Sequence, residues 1–136
     1  MIERLVIAAI LIVLGTTLWT AFNRLSVRRA ANAAPADPLL STLRSDTPAI
    51  LYFTTPFCEP CRTLQKPALI RLQDELGAAI QVLQIDATEQ PDMADRWGVF
   101  SAPTTFILDR SLTPRQVNRG VASAETLRKQ LQAVSS

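Results

Sequence analysis

The chain has 136 residues, of which 48% are hydrophobic and 19% charged, so it suits one packed domain with an appendage rather than two domains or a disordered chain. Its net charge of +2 is uneven: residues 1–30 hold four arginines against one glutamate, whereas residues 31–136 hold ten basic and eleven acidic side chains and so lack the basic face that nucleic-acid binding requires. The two cysteines and the absence of histidine exclude a four-cysteine zinc site and the commonest general base, which leaves one dithiol or disulfide as the place to look for chemistry.

An apolar run opens the chain. Residues 5–22 contain no charged side chain, and as a helix they would extend roughly 27 Å, close to the ~30 Å hydrocarbon core of a bilayer. Trp19 and Phe22 near the end of the run, and the arginines after it, are typical of a membrane interface. We expect residues 1–30 to form an uncleaved transmembrane anchor with a basic flank. A cleaved signal peptide, for which residues 31–33 offer a small-x-small site, and a buried core helix are the alternatives.

The next segment changes in composition. Residues 31–38 are rich in alanine and proline, which favours a short solvated linker before a globular domain at 39–136. A short helix is predicted over 39–43, with Asp37 as its N-cap and Pro38 in its first turn.

The apolar pattern of the rest predicts the order β-α-β-α-β-β-α. Strands are predicted at 49–54, 79–85, 104–108 and 115–119, and helices over 59–76, within 86–96 and from Ser123 onward. The helix over 59–76 should be kinked at Pro67 and end at Gly77, with these apolar residues at helical spacing: Leu64, Ala68, Leu69, Leu72 and Leu76. A helix between the first two strands implies that they are parallel, and the last two strands are close enough for an antiparallel hairpin.

The two cysteines lie where the first predicted strand gives way to a helix. Cys58 then sits at a helix N-terminus, where backbone N–H groups and the helix dipole favour the thiolate, and Cys61 lies one turn further, within reach of a mixed disulfide. Pro60 stiffens the first turn without losing a hydrogen bond. The position favours redox chemistry. There are two other interpretations: an inert disulfide or buried thiols, and a two-thiolate metal-carrier site such as one for Cu(I).

Residues 39–134 resemble the thioredoxin family. The resemblance is carried by Cys58-Glu59-Pro60-Cys61, by Trp97-Gly98-Val99 with Ser101-Ala102-Pro103-Thr104, and by Arg119-Gly120-Val121. It implies a thioredoxin-like α/β fold, a central mixed sheet flanked by helices, here with an N-terminal transmembrane helix. It also implies that Ala102-Pro103 is a cis bond facing the cysteines, that the backbone of Ala102 pairs with an extended substrate segment, and that no metal or cofactor is needed.

The chain departs from the thioredoxin pattern at several positions. Phe57 replaces the usual tryptophan before the first cysteine. Glu59 replaces a glycine, and its carboxylate should disfavour the neighbouring thiolate while Arg62 should favour it. Tyr52 stands where thioredoxin has a buried aspartate that accepts the proton of the second cysteine, and Val82 lies near the place of the accompanying lysine. These changes leave the reduction potential and the direction of exchange open.

Two aromatic residues flank the expected site. Phe57 and Phe100, partly exposed, would form an apolar collar for a partner polypeptide, while Trp97 is expected in the core. We predict a thiol–disulfide oxidoreductase that acts on cysteine-containing proteins and is reset by a separate redox partner. The alternative is a non-catalytic binding module that holds a protein or Cu(I) near the membrane.

The side of the membrane is left open by the sequence. Residues 5–22 are expected to cross the bilayer once. The arginines on the C-terminal flank favour a cytoplasmic domain, whereas tethered relatives of the thioredoxin family often face the other side.

Overall fold

The structure is a computed structural model that describes residues 1–34 and 37–135. Its helices are α1 (Ile2–Ala33), α2 (Lys66–Leu76), α3 (Pro91–Arg96) and α4 (Ala124–Ser135), and its strands are β1 (Ala49–Thr54), β2 (Gln81–Asp86), β3 (Thr104–Leu108) and β4 (Pro114–Arg119). Short 3-10 helices cover Pro38–Thr42 and Gly77–Ala79, and a π-helical turn covers Cys61–Gln65.

Four strands form one mixed sheet in the order β2-β1-β3-β4. β1 is parallel to β2 and antiparallel to β3, and β3 is antiparallel to β4. The predicted parallel pair and hairpin are therefore confirmed. β2 begins two residues later than predicted because the segment after Gly77 closes a 3-10 turn first.

The two faces of β1 bury two different halves of the core. Leu51 and Phe53 point to one half, where the rings of Trp97 and Phe106 pack edge to face, 5.1 Å apart between centroids. Ile50 and Tyr52 point to the other half, which also contains Cys61. Trp97 is fully buried, as predicted, and the second half of the core places a cysteine directly against the central strand.

The helix after the cysteines corrects one prediction. Leu64, expected on the inner face, is 57% exposed, while its polar neighbour Gln65 is fully buried. The reason is the π-helical turn, which contains more residues per turn than an α-helix and so rotates the following side chains. Pro67 explains why the π-helical turn lies just before it. A proline has no N–H to donate to the carbonyl four residues earlier, and its ring crowds that carbonyl.

α1 is longer than the predicted anchor. It continues through the arginines to Ala33, and its final turns pack on the domain, with Ser26 and Ala30 buried. The apolar part that makes α1 a candidate membrane span is entirely exposed, which places none of it in the core.

The described parts of the predicted linker are packed rather than solvated. Residues 31–33 are helical, Ala34 is buried, and residues 35–36 lie outside the described residues. Asp37 caps the 3-10 helix as predicted, accepting a hydrogen bond from the N–H of Leu39, and it also accepts one from the indole N–H of Trp97 at 3.0 Å. The division of the chain at residues 30 and 38 stays a prediction.

Asp109 organises the turn between β3 and β4. Its carboxylate accepts hydrogen bonds from the backbone and hydroxyl of Ser111, from the backbone of Thr113 and from the guanidinium of Arg115. Burial raises the pKa of Asp109, but these hydrogen bonds, led by that of the Ser111 hydroxyl, outweigh it and hold the pKa below its ordinary value.

Candidate active site

Cys58 and Cys61 form a disulfide in the structure, with 2.02 Å between the sulfurs and 5.2 Å between the Cα atoms. The two sulfurs differ in surroundings: Cys58 is half-buried, whereas Cys61 is 1% exposed and packed in the core beneath β1. A substrate can therefore reach only Cys58 directly.

The backbone around Cys58 is arranged to stabilise negative charge on its sulfur. The N–H of Cys61 points at the Sγ of Cys58 at 3.2 Å, and the N–H of Arg62 donates to the carbonyl of Cys58 at 3.3 Å. These N–H groups belong to the first turn of the helical segment, where the helix dipole is positive. When the disulfide is reduced, the same N–H group can donate to a Cys58 thiolate.

The charges of Glu59 and Arg62 partly cancel each other beside Cys58. Both carboxylate oxygens of Glu59 lie 2.7 Å from one guanidinium nitrogen of Arg62, on a side of the helix where both side chains are largely exposed. The sequence predicts that Glu59 disfavours the Cys58 thiolate and that Arg62 favours it. Because the two side chains form one solvated ion pair, their net influence on the thiolate is small.

The loop before β3 forms the opposite wall of the site. The Ala102-Pro103 peptide bond is cis, as the resemblance implies. Ala102 packs in the same part of the core as both cysteines. Pro103 is buried behind it, and its carbonyl accepts a hydrogen bond from the N–H of Gly120 at 2.9 Å.

A groove of about 630 Å³ lies between these walls. Six of the predicted site residues line it: Phe57, Cys58, Glu59, Pro60, Phe100 and Ala102. Cys61, Arg62 and Pro103 do not. Phe57 is 95% exposed and Phe100 is 72% exposed. The exposed rings give the groove an apolar rim beside the accessible sulfur.

Tyr52 lies beneath the buried cysteine, at the position where the resemblance to thioredoxin implies an acidic group. Its hydroxyl donates to the carbonyl of Cys61 at 3.2 Å, and burial raises the pKa of the Tyr52 phenol. The phenol is therefore neutral and already used as a donor, so it cannot take the proton of Cys61 near neutral pH.

Two residues near the site were not predicted from the sequence. The side-chain amide of Gln65 is fully buried and bonds to both the N–H and the carbonyl of Ala122. The sequence analysis names Arg119 only as part of a motif, yet its guanidinium lies over the ring of Phe22 and over the ring of Phe100. Burial lowers the pKa of Arg119 from its ordinary value. Such long-range contacts leave no local sequence pattern.

The described residues offer little for a metal. Within 1–34 and 37–135, no three histidine, cysteine, aspartate or glutamate side chains lie close enough together to hold an ion.

The family model for thioredoxin matches residues 36–133. The chain belongs to the thioredoxin family. The matched residues include the Cys58–Cys61 disulfide, and the pair is consistent with a thiol–disulfide oxidoreductase.

Individual relatives agree with this family assignment. A thioredoxin of Bacillus subtilis is 32% identical over 72 residues, which are 53% of this chain and 68% of that protein. Thioredoxin M4 of Arabidopsis thaliana chloroplasts is 28% identical over 101 residues, but this chain covers only 51% of it. The solved thioredoxin of Fasciola hepatica superposes with a TM-score of 0.61 at 20% identity, covering 75% of this chain and 93% of that one, which shows the shared fold.

Proposed function

We propose that this protein catalyses thiol–disulfide exchange with cysteine-containing protein substrates, with Cys58 as the attacking sulfur and Cys61 as the resolving sulfur. One observation carries the proposal: the accessible sulfur is the one that a backbone N–H faces, and the other is buried directly beside it. An inert disulfide has no need of this asymmetry.

In the reducing direction the reaction has two steps. The Cys58 thiolate attacks one sulfur of a substrate disulfide, so that a mixed disulfide forms and the other substrate sulfur leaves as a thiolate. The Cys61 thiolate then attacks the Sγ of Cys58, which forms the Cys58–Cys61 disulfide and releases the second substrate thiolate. Two electrons pass to the substrate, and the same steps in reverse oxidise a substrate dithiol. A separate dithiol or disulfide partner must return the pair to its starting state.

The second step needs Cys61 to lose its proton. Within residues 1–34 and 37–135 the only buried carboxylate is Asp37, which is bonded to Trp97 in the other half of the core. Tyr52 is a neutral donor here, and Glu59 is exposed and paired with Arg62. We therefore propose that water accepts the proton of the Cys61 thiol. This makes the second step the one that should respond most strongly to pH.

Phe57, Phe100 and Ala102 are proposed to bind the substrate. The two exposed rings would cover apolar side chains on either side of the substrate sulfur. Ala102, which is half-buried, lines the groove where an extended segment would pass. Glu59, Pro60 and Arg62 shape the first turn beside Cys58 and are proposed only to modulate its reactivity.

Reduction of insulin with dithiothreitol tests the proposal. The full chain in detergent should accelerate the precipitation of insulin chains, and Cys58→Ser should abolish the acceleration. Ser45→Ala serves as the matched control, because it removes a hydroxyl at an exposed residue outside the groove, keeps both sulfurs and should keep the activity. Wild-type protein that behaves like the sample without protein would favour the binding-module alternative.

We further propose that the apolar part of α1 crosses a membrane once, with the side of the domain left open. The full chain expressed in cells should stay in the membrane fraction after alkaline carbonate washing. Release into the supernatant would contradict this assignment.

A further inference from the structure

The apolar helix is fixed to the catalytic domain. α1 is continuous from Ile2 to Ala33, and its last turns contact the domain through several polar bonds. The hydroxyl of Ser26 accepts a hydrogen bond from Arg119 at 3.0 Å, and the guanidinium of Arg29 donates to the carbonyl of Asp95 at 2.8 Å. Ala30 is fully buried. The domain therefore has a set position on the helix.

This position brings the groove next to the end of the apolar run. The guanidinium of Arg119 lies 5.3 Å from the ring centre of Phe22 and 4.4 Å from that of Phe100, and it also donates to the carbonyl of Gly98. Phe22 is the last residue of the apolar run, and Phe100 lines the groove. One arginine side chain thus separates the membrane end of α1 from the rim of the groove.

The depth of the groove follows from helix geometry. If Phe22 marks the edge of the hydrocarbon, Ser26 lies about 6 Å beyond it, at about 1.5 Å per residue. The polar headgroup layer extends roughly 5–8 Å from that edge. Arg119 contacts both Phe22 and Ser26, so it lies within this layer. Phe100, stacked on Arg119, lies there too, where exposed aromatic rings are favoured.

We propose that the substrate is a disulfide or dithiol in an integral membrane protein, carried by an extended segment at headgroup depth in the same membrane. This rests on the proposed function, because the same two exchange steps occur at Cys58 and Cys61. On this placement the Phe100 side of the groove lies at the membrane surface beside α1, and the rings at its rim, Phe57 and Phe100, are exposed. Cysteines far above the surface would have to descend to reach it.

Reporters at two heights test the proposal. Pre-reduced full-length protein is placed in phosphatidylcholine vesicles with a single-span reporter whose disulfide loop either follows the span directly or stands on a ten-residue proline-rich spacer. That spacer raises the disulfide by roughly 30 Å, at about 3.1 Å per residue. In a single turnover, the low reporter should be reduced at least about tenfold faster than the raised one, because the raised disulfide is outside the reach of the fixed groove.

A spacer in the protein itself provides the matched variant. Twelve Gly/Ser residues are inserted between Asn23 and Arg24. This flexible linker lets the domain move about 17–21 Å away from the membrane-spanning part of α1, while the contacts of Ser26 and Ala30 with the domain remain. The ratio of the reduction rates of the low and raised reporters should then fall below about threefold. The same twelve residues appended after residue 136 should leave it unchanged.

The outcomes separate the inference from the proposed function. Equal reduction of both reporters by the wild-type protein, with normal reduction of soluble insulin, would overturn the membrane-surface substrate and leave thiol exchange standing. Failure to reduce insulin as well as both reporters would overturn both. A preference for the low reporter that survives the Asn23–Arg24 insertion would show that the fixed helix does not cause it, and would also overturn the inference.

Discussion

Replacing Gln65 with leucine should destabilise the domain, because two backbone groups would lose their hydrogen-bond partner. The Gln65 side chain accepts from the N–H of Ala122 at 2.8 Å and donates to its carbonyl at 3.0 Å, in a fully buried position. Leucine fills a similar volume but leaves both groups of Ala122 without a partner. A stranded buried polar group costs about 1–3 kcal/mol, and removing the buried amide offsets part of it, so we expect a loss of about 2–4 kcal/mol in the free energy of unfolding.

Urea unfolding of the oxidised full chain in detergent measures this loss. The fluorescence of Trp97, which is fully buried, reports on the domain, whereas Trp19 lies on the exposed apolar part of α1. With a slope of about 1–3 kcal/mol per molar urea, the midpoint of urea unfolding should fall by roughly 0.7–4 M.

Gln73→Leu is the matched control, because Gln73 is exposed on α2 and undergoes the same chemical change. Its stability should change by no more than about 0.5 kcal/mol. If Gln65→Leu costs no more than Gln73→Leu, the two hydrogen bonds to Ala122 do not hold the segment before α4, and the reasoning is refuted.

Three further variants follow from the described contacts. Arg62→Gln removes the positive partner of the carboxylate beside the attacking sulfur, and should slow alkylation of the reduced protein at pH 7 by about twofold, since the pair is exposed; a tenfold change would contradict this. Asp37→Ala strands the buried indole N–H of Trp97 and should cost about 1–3 kcal/mol in urea unfolding. The pKa of Asp109 is depressed in the fold, so its stabilisation is present above about pH 4 and is lost as the pH falls through the folded value. Asp109→Asn should therefore lower the thermal midpoint more at pH 7 than at pH 3, and an equal loss at both would contradict the assignment.

The strands were predictable because their signal is local. The apolar runs of β1 and β3 have the predicted bounds, 49–54 and 104–108, since both strands are buried on both faces and flanked by turn residues. The cysteine pair was predictable for the same reason: its four residues are consecutive, and the strand before and helix after them can be read from neighbouring residues.

The errors come from contacts between distant residues. The sequence predicts Leu64 on the inner face because the spacing assumes a regular α-helix, and only the buried Ala122 backbone explains why the amide of Gln65 takes the inner position. The sequence predicts that the anchor and its basic flank end at residue 30, with the arginines at the lipid headgroups. Arg29 instead finds a carbonyl acceptor at Asp95, 66 positions away, and no pattern within the first 30 residues contains that information.

Trapping the mixed disulfide on Cys58 tests the catalytic assignment most directly. Reduced full-length Cys61→Ser protein is mixed with oxidised insulin, quenched with acid and resolved by non-reducing electrophoresis and mass spectrometry. The assignment predicts a covalent complex through Cys58 that dithiothreitol dissolves, and no complex from Cys58→Ser, whose remaining sulfur is buried. Equal complexes from both variants, or none from Cys61→Ser, would contradict it.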